Sequence, residues 1–288
     1  MLGCDFCGLA EETGSSVTRF GKGDRVAGLL LQGSKERPGA YARHTIAEEG
    51  CVFKVPVGVS SQEAAGVPLA CNTAWLALLS PFSLGIERNN GKAVQLLIWG
   101  GTSSVGQYAI QIAKLLGFKF ATTCRNRRVV EGLGAELVFD YTSESVVRDI
   151  KAALPRITYV LDCIGTEESS MLASKTVVES GGKLCTVAAG KRNIEKVEKR
   201  VEVSDVLVFT AFGQDLKYGP ITVAAREEDR DLSRELYESL PGWLEGGQIK
   251  PNVPRVIEGG LDGVEKGFEL FRSGTISGQK VVYNISES

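Results

Sequence analysis

Apolar runs of strand length alternate with helical stretches between residues 93 and 210. The predicted strands are 93–99, 118–124, 136–139, 157–162, 183–188 and 203–209, and the predicted helices are 104–116, 127–133, 143–153 and 167–179. In the best-defined helix, 104–116, apolar residues recur at positions i, i+3, i+4 and i+7, and Gly117 suits its C-terminal end. Such alternation is typical of a parallel sheet covered by helices, so we predict a doubly wound α/β fold.

The residues before and after this alternating region follow a different pattern. Short apolar runs at 26–31 and 52–55 predict strands and turns in the first 70 residues, and helical periodicity begins only at Gln62. Near the C-terminus, 231–246 is predicted as a helix and 264–285 as a strand. The predicted domains are 1–70, 71–212 and 213–288, with the last segment returning to the first domain.

Composition and charge exclude several classes of protein. The chain of 288 residues has 33 Lys and Arg against 35 Asp and Glu, a net charge of −2, so it lacks a basic field for nucleic acid. No apolar run approaches the roughly 18 residues of a membrane span. The N-terminus has neither the basic nor the apolar region of a secretory signal. We therefore expect a cytoplasmic protein that binds neither nucleic acid nor a membrane.

The cysteines and the histidine do not predict a metal site. An odd number of cysteines, 7, does not suit a disulfide framework, and a reducing compartment is the default. Cys4 and Cys7 form a C-x-x-C, but no second pair of ligands at similar spacing completes a zinc site. The single histidine, His44, rules out sites built from two or three histidines. We therefore expect no bound metal.

The junction from Trp99 to Gly106 carries the clearest chemical signal. It ends an apolar strand and opens an amphipathic helix, and such a turn aims free N–H groups and the positive helix end at a phosphate. The strict G-x-G-x-x-G pattern is not met, because Ser103 stands near the middle glycine, and a tight turn without a ligand is the alternative. The candidate cofactor-binding residues here are Gly100, Gly101, Thr102, Ser103, Ser104, Val105 and Gly106.

Three other motifs of glycine-rich α/β proteins do not match this junction. Gln107 and Tyr108 follow Gly106, where a P-loop has Lys and then Ser or Thr. Segment 101–105 lacks the second glycine of the nucleophile elbow G-x-S-x-G. None of the 7 tyrosines begins the Tyr-x-x-x-Lys of short-chain dehydrogenases. The junction therefore favours dinucleotide binding.

The end of the second strand discriminates between NAD(H) and NADP(H). NAD-binding sites usually carry an acid there for the ribose 2′-hydroxyl, yet no acidic residue lies between Gly101 and Val130. The strand runs instead into Cys124, Arg125, Asn126, Arg127 and Arg128. Because guanidinium groups suit a 2′-phosphate, we predict NADP(H); a solvated basic helix start is the alternative.

Six further stretches, in order along the chain, resemble one family of enzymes. They are Gly3 to Gly8, Phe20 to Val26, Pro38 to Ala42, Asp162 to Gly165, Tyr218 to Pro220 and Gly274 to Lys280. Together they resemble the medium-chain dehydrogenase/reductase superfamily, and most of all its zinc-free fungal branch of trans-acting enoyl reductases, which partner polyketide synthases. The resemblance implies a Rossmann-type domain at 71–212 and a GroES-like β domain built from 1–70 and 213–288.

The same resemblance implies an activity. The protein would be an NADPH-dependent, zinc-independent oxidoreductase of secondary metabolism that transfers a hydride to an enoyl thioester or a related carbonyl. Its substrate would be a small molecule or a carrier-bound acyl group, and a polyketide synthase would be its partner. A quinone or aldehyde reductase on the same fold and a non-catalytic NADPH-binding remnant are the alternatives. A methyltransferase is a third, although the missing acid after the second strand also weighs against it.

Residue roles also follow from the resemblance. Tyr141 flanks the adenosine together with Cys124, Arg125, Asn126 and Arg127. The residues on the nicotinamide side are Val187, Ala188, Ile276 and Ser277. The substrate-facing residues are Asn72, Thr73, Thr210, Ala211, Phe212, Gly213 and Gln214. No catalytic proton donor is assigned, and Tyr41 and Thr73 are the available candidates. Ordinary packing is the alternative role for each of these residues, most of all for Phe209 and Phe212.

Two departures from the family pattern change the expectations. Zinc-dependent relatives carry Gly-His-Glu where this chain has Gly3, Cys4 and Asp5, and they carry a four-cysteine lobe that this sequence lacks. Relatives also begin with further strands before this segment. We therefore expect a GroES-like domain that is truncated at its N-terminus, which indicates either a shortened gene model or a protein that has lost activity.

Overall fold

A computed structural model describes residues 2–31 and 39–285. The chain divides into two compact units. We call Met1–Asn72 with Phe209–Ser288 the terminal unit, and Thr73–Val208 the sheet unit. Pro38, which begins one of the matching stretches above, lies outside the described residues.

The N-terminal part of the terminal unit is a small antiparallel sheet followed by helix. Its elements are β1 (Asp5–Leu9), β2 (Arg25–Leu29), β3 (Val52–Lys54), α1 (Ser61–Ala64) and α2 (Pro68–Leu79), the last of which continues into the sheet unit. Strand β2 lies between β1 and β3. A capping box fixes the start of α1, because Glu63 N donates to Ser60 Oγ at 3.2 Å and Ser60 N donates to Glu63 Oε2 at 2.9 Å.

The sheet unit is built on six parallel strands. These are β4 (Gln95–Trp99), β5 (Lys119–Thr123), β6 (Leu137–Phe139), β7 (Tyr159–Asp162), β8 (Gly182–Thr186) and β9 (Val201–Asp205). The connecting helices are α3 (Ser104–Leu115), α4 (Arg127–Gly132), α5 (Val146–Ala153) and α6 (Glu167–Ser174). The strand order is β6-β5-β4-β7-β8-β9. Strands β5 and β6 are therefore added on one side of β4, and β7, β8 and β9 on its other side. This order confirms the predicted doubly wound α/β fold.

Apolar packing explains why these segments form the sheet and its helices. Every residue of β4 is buried, and one core cluster joins Val160 and Leu184 of the sheet to Ile150 of α5 and Ala173 of α6. Strands buried in this way are typical of parallel sheets whose faces are covered by helices. The packing places the carboxyl ends of β4, β5, β7 and β8 at one edge, which is where ligands bind in doubly wound sheets.

The C-terminal part of the terminal unit holds a hairpin, two helices and a parallel strand pair. Its elements are β10 (Leu216–Tyr218), β11 (Ile221–Val223), α7 (Glu227–Glu245), β12 (Val253–Ile257), α8 (Val264–Arg272) and β13 (Gln279–Tyr283). The predicted strand 264–285 is therefore wrong: it is a helix and a strand, separated at Gly274, whose φ is +65°. Strand β12 pairs in parallel with β13 and had no counterpart in the sequence prediction.

Other predicted boundaries are also wrong. The predicted helix 167–179 ends at Ser174. The predicted strand 203–209 ends at Asp205, and Val208–Phe212 forms a 3-10 turn whose apolar side chains are buried without strand pairing. Helix α7 begins at Glu227 rather than at 231, and the acidic residues of its first turn suit the positive end of a helix. Within residues 2–31 and 39–285, no helix combines the length and the apolar character that crossing a bilayer requires.

Candidate functional site

The turn between β4 and α3 is packed so closely that only glycine fits at three positions. Gly100 has φ +86°, and a Cβ there would lie 2.6 Å from Ile164 Cδ1. A Cβ on Gly101 would collide with Thr122 Oγ1, and one on Gly106 with the carbonyl oxygen of Gly100. The glycines therefore let the first turn of α3 lie directly against the end of β4, which is the geometry of a dinucleotide-binding loop.

Hydrogen bonds hold this turn from two directions. Thr123, at the end of β5, accepts the N–H of Gly100 on Oγ1 at 3.0 Å and the N–H of Gly101 on its carbonyl at 2.9 Å. Ser103 caps α3, because its Oγ accepts Gly106 N at 3.0 Å. The half-buried residues at the start of the helix are Thr102, Ser103, Ser104 and Val105. A pyrophosphate fits this cradle, since it is rigid, lies at a helix N-terminus and leaves no room for side chains at its glycines.

The end of β5 brings one predicted arginine against the predicted tyrosine. The guanidinium carbon of Arg125 lies 5.8 Å from the centroid of the Tyr141 ring, within cation–π range. Arg127 turns back instead: it donates to the Val138 carbonyl at 2.8 Å and pairs with Glu131 at 3.1 Å. Arg125 therefore remains available to a ligand at this strand end, whereas Arg127 stabilises its own helix.

The neighbours of Arg125 differ in character. Cys124 is buried and its N–H donates to the Phe139 carbonyl at 2.9 Å, so this predicted residue joins the end of β5 to the end of β6. Asn126 is exposed at the start of α4, where its side chain makes no capping hydrogen bond. The pKa of Asp140 is lowered because Thr142 donates its N–H and hydroxyl to the carboxylate, with a further contribution from Arg125. Arg125 thus lies near one fixed negative charge.

Two predicted nicotinamide-side residues lie at the end of β8 in the same unit. Val187 and Ala188 are half-buried, and Val187 N donates to the Asp162 carbonyl at 3.1 Å. Ala188 N donates to Thr186 Oγ1 at 3.3 Å, and a Cβ on Gly165 would lie 2.8 Å from Ala188 Cβ. The ends of β4, β7 and β8 are thus linked by direct contacts, and the cofactor residues predicted in this unit share one edge of the sheet.

Other predicted residues belong to the terminal unit. Ile276 is half-buried and Ser277 is exposed, in the turn that connects α8 to β13. The ring of Tyr41 packs edge-on against Tyr283, with 5.4 Å between centroids. Burial, followed by its interactions with Tyr283, raises the pKa of Tyr41 to about 12, so this candidate proton donor is a neutral phenol at physiological pH. Thr73, the other candidate, is buried in α2 as the first residue of the sheet unit.

The predicted substrate residues of the terminal unit have two kinds of environment. Asn72 and Thr210 are buried and already hydrogen-bonded: Ser233 donates to Asn72 Oδ1 at 3.1 Å, and Thr210 donates to Asp229 at 2.6 Å. Gly213, with φ +59°, and the exposed Gln214 form the following turn. A cavity of about 280 Å³ is lined by Arg19, Glu48, Glu49, Gly50, Cys51, Ala211, Phe212, Arg230 and Arg234.

Sequence reasoning gave no role to several residues that hold these segments in place. Thr123 binds the glycine turn, and Asp162 lies beneath the turn that follows β7. In the terminal unit, Asp5 Oδ2 accepts from Lys280 at 2.6 Å and Asp5 Oδ1 accepts from Leu69 N at 2.6 Å. An acid or a hydroxyl at the end of a buried strand is the signal that could have identified Thr123 and Asp162, because a buried polar group needs partners.

Comparisons with known proteins identify relatives of this chain. The family model described as "Zinc-binding dehydrogenase" matches residues 104–216. "Trans-enoyl reductase fsa3" of Fusarium sp. (strain FN080326) is 32% identical, over 99% of this chain and 84% of that protein. The enoyl reductase component lovC of the lovastatin nonaketide synthase of Aspergillus terreus is 29% identical, over 99% of this chain and 81% of that protein. An alcohol dehydrogenase superfamily protein from Novosphingobium aromaticivorans shares the fold, with a TM-score of 0.75, 21% identity, and coverage of 95% of this chain and 77% of that chain.

The zinc named in that family description does not fit the residues seen here. Among the described residues, no group of three or more His, Cys, Asp and Glu side chains could hold a metal ion. Burial, with the nearby Asp5 carboxylate, raises the pKa of Cys4 to about 12, and burial also raises the pKa of Cys7. A structural zinc site needs four ligands, and Cys4 and Cys7 supply only two.

Proposed function

Because the chain belongs to the trans-enoyl reductases of the medium-chain dehydrogenase/reductase superfamily, we propose that it is an NADPH-dependent reductase of enoyl thioesters. The observation that carries the proposal is the pairing of two features at one sheet edge. The glycine turn 100–106 suits a pyrophosphate, and Arg125 over Tyr141 supplies a guanidinium where a 2′-phosphate would lie. Medium-chain dehydrogenases and reductases use nicotinamide cofactors; the choice of NADPH over NADH rests on Arg125.

Different residues of the chain would bind different parts of NADPH. The N–H groups in front of α3 and the positive end of that helix would hold the pyrophosphate, and Gly100, Gly101 and Gly106 would let it approach. Arg125 would bind the 2′-phosphate by charge-assisted hydrogen bonds. Val187 and Ala188 would border the nicotinamide half, and Ile276 and Ser277 remain predictions for that side.

The reduction needs a hydride, a stabilised enolate and a proton. NADPH, when bound, supplies the hydride for the β-carbon of a conjugated thioester. Charge then develops on the thioester oxygen, and hydrogen-bond donors must stabilise it. Tyr41 and Thr73 are the candidates for delivering the proton, Tyr41 as a phenol whose Oη holds its proton at physiological pH. No step uses a metal.

The substrate is proposed to be carried by a partner protein. One relative is named as the enoyl reductase component of a nonaketide synthase, and others are named as trans-enoyl reductases. We therefore propose an acyl chain bound to the carrier domain of a polyketide synthase as the natural substrate.

The test is rapid-mixing oxidation of NADPH with a crotonyl pantetheine thioester, followed at the absorbance of the reduced nicotinamide. The saturated butyryl thioester is the matched control and should consume no NADPH. Consumption with the enoyl thioester supports the proposal. Binding of NADPH without turnover of any enoyl thioester would identify a non-catalytic remnant. Turnover of a quinone or an aldehyde alone would identify the other reductase activity on this fold.

A further inference from the structure

Asp162, the last residue of β7, is a fully buried carboxylate to which the proposed reaction assigns no role. Its Oδ1 accepts the N–H groups of Ile164 and Gly165 at 3.0 and 3.1 Å. Its Oδ2 accepts the hydroxyls of Ser169 and Ser170 at 2.7 and 2.8 Å. A buried charge is tolerated when it is hydrogen-bonded, and four donors hold this one in a single orientation.

The turn that Asp162 holds, residues 163–165, touches the glycine loop. Ile164 lies over Gly100, so closely that a Cβ on the glycine would be 2.6 Å from Ile164 Cδ1. Burial and the nearby Asp162 raise the pKa of the Cys163 thiol, and an interaction with Ser103, the residue that caps α3, partly opposes this. The position of this turn therefore fixes one wall of the proposed pyrophosphate site.

The same turn also touches the proposed nicotinamide side. Gly165 adopts φ +74°, and a Cβ there would lie 2.8 Å from Ala188 Cβ. The carbonyl of Asp162 accepts Val187 N at 3.1 Å, and the carbonyl of Gly165 accepts Asn193 Nδ2 at 3.0 Å. Asp162 thus connects two parts of the sheet edge. It reaches the glycine loop through Ile164, and it reaches the end of β8 through Gly165 and through its own backbone carbonyl.

We propose that Asp162 is a positioning residue that sets the spacing between the glycine loop and residues 187–188. It acts through the turn 163–165 and so controls how the nicotinamide half of NADPH is held, but not the adenosine half, which lies at the end of β5. The inference rests on the proposed NADPH site. It goes further, because it assigns the position of the nicotinamide half to Asp162 and the turn 163–165, and that of the adenosine half to the end of β5.

A merely structural role makes a different prediction. If the carboxylate only anchored the start of α6 through Ser169 and Ser170, its replacement would lower stability and weaken every ligand of the unit together. A positioning role predicts a selective loss. Adenosine 2′-monophosphate carries the adenosine and the 2′-phosphate but neither the pyrophosphate nor the nicotinamide, so it separates the two possibilities.

The test compares Asp162→Asn with the wild-type protein by titration calorimetry with NADPH and with adenosine 2′-monophosphate. The amide disrupts the donor pattern around Oδ1 and Oδ2 without changing the size of the side chain. We expect NADPH to bind at least about tenfold more weakly, as a misplaced binding group does, and adenosine 2′-monophosphate to bind within about twofold of the wild type. The matched control is Ser174→Ala, since Ser174 is buried in α6 and bonds Met171 and Glu198 but not Asp162. It should lower stability and leave both affinities unchanged.

Each other outcome overturns the inference in a recognisable way. Parallel loss of both affinities in Asp162→Asn would show a structural role only, and an unchanged NADPH affinity would remove the positioning role while the proposed function stands. A wild-type protein that binds neither ligand would overturn the proposed function and this inference with it. If Asp162→Asn does not fold, Ser170→Ala removes one donor to Oδ2 and should give a smaller loss for NADPH alone; equal losses for both ligands would refute the inference.

Discussion

Arg125 and Tyr141 come together although 16 positions separate them, with the guanidinium carbon 5.8 Å from the centre of the ring. They follow neighbouring parallel strands, β5 and β6, whose carboxyl ends lie at the same edge of the sheet. A planar cation over an aromatic face is held in one orientation, which lowers the entropic cost of binding an anion. Arg127, only two residues further on, is committed to Val138 and Glu131.

This difference predicts unequal effects of two arginine substitutions. Arg125→Gln should weaken NADPH binding by about tenfold to a hundredfold, the range expected for one charge-assisted hydrogen bond. The affinity for NADH should change little, because NADH has no 2′-phosphate. Arg127→Gln is the matched variant and should weaken NADPH binding far less. Titrations of both cofactors check this, and equal effects of the two substitutions would show that the contacts of Arg127 are replaced when ligand binds.

A second prediction concerns the glycine turn. Gly101→Ala places a methyl group against Thr122 Oγ1 and should destabilise the sheet unit by about 2 kcal/mol, as overpacking does. Thr122→Ala removes that oxygen together with its 2.8 Å hydrogen bond to the Ile98 carbonyl. The double variant should therefore be more stable than the sum of the two single losses predicts. Urea unfolding of all four proteins measures this coupling, and strict additivity would mean that the turn relaxes away from Thr122.

The pattern of the sequence predicted the sheet unit well where its signal is local. Helix 104–116 is observed as Ser104–Leu115, because a long amphipathic stripe and a terminal glycine specify a helix almost by themselves. The apolar run that continues beyond Asp205 was predicted as strand and forms a 3-10 turn at Val208–Phe212. Periodicity cannot distinguish these possibilities in a short buried run, since tertiary packing decides between them.

The candidate site was predictable only in part for a similar reason. The glycine turn is one continuous segment, and the arginines after β5 form another. The chemistry of each segment could therefore be inferred from neighbouring residues. Which of Arg125 and Arg127 faces a ligand depends on how the chain turns into α4. Two residues of the same type so close in sequence do not reveal this. The pair Asp5 and Lys280 is 275 positions apart, and no local pattern connects its members.

The burial of the pair Asp5 and Lys280 predicts that its removal costs more stability than the removal of an exposed ion pair. Lys280 Nζ lies 2.6 Å from Asp5 Oδ2, and the side chains are 23% and 9% exposed. Lys280→Met leaves a buried carboxylate without its cation, and should lower the free energy of unfolding by about 3 kcal/mol. Lys54→Met is the matched control: Lys54 pairs with Asp24 at the same 2.6 Å but is 60% exposed, so solvent screens the pair and the loss should be much smaller. Urea unfolding compares the two variants, and equal losses would contradict the burial argument.

A final prediction concerns acid pH. The pKa of Glu49 is held below its ordinary value of 4.5 because its carboxylate accepts the N–H groups of Arg19 and Thr18, at 2.7 and 2.9 Å. Above pH 4.5 the group is ionised in both the folded and the unfolded state, so its contribution to stability is fully present. As the pH falls below 4.5 towards the folded-state pKa, the unfolded chain takes up the proton first and stability is lost.

Glu49→Gln should therefore flatten the acid side of the stability profile. The amide oxygen still accepts from the loop but does not titrate, so the variant should be less stable than the wild type at pH 7 and should lose less stability between pH 7 and pH 3. Unfolding in urea across this range measures both profiles. Glu12→Gln, the same change at an exposed position, is the control and should leave the profile unaltered. If the profiles of Glu49→Gln and the wild type run parallel through this range, the loss of stability in acid arises from other carboxylates.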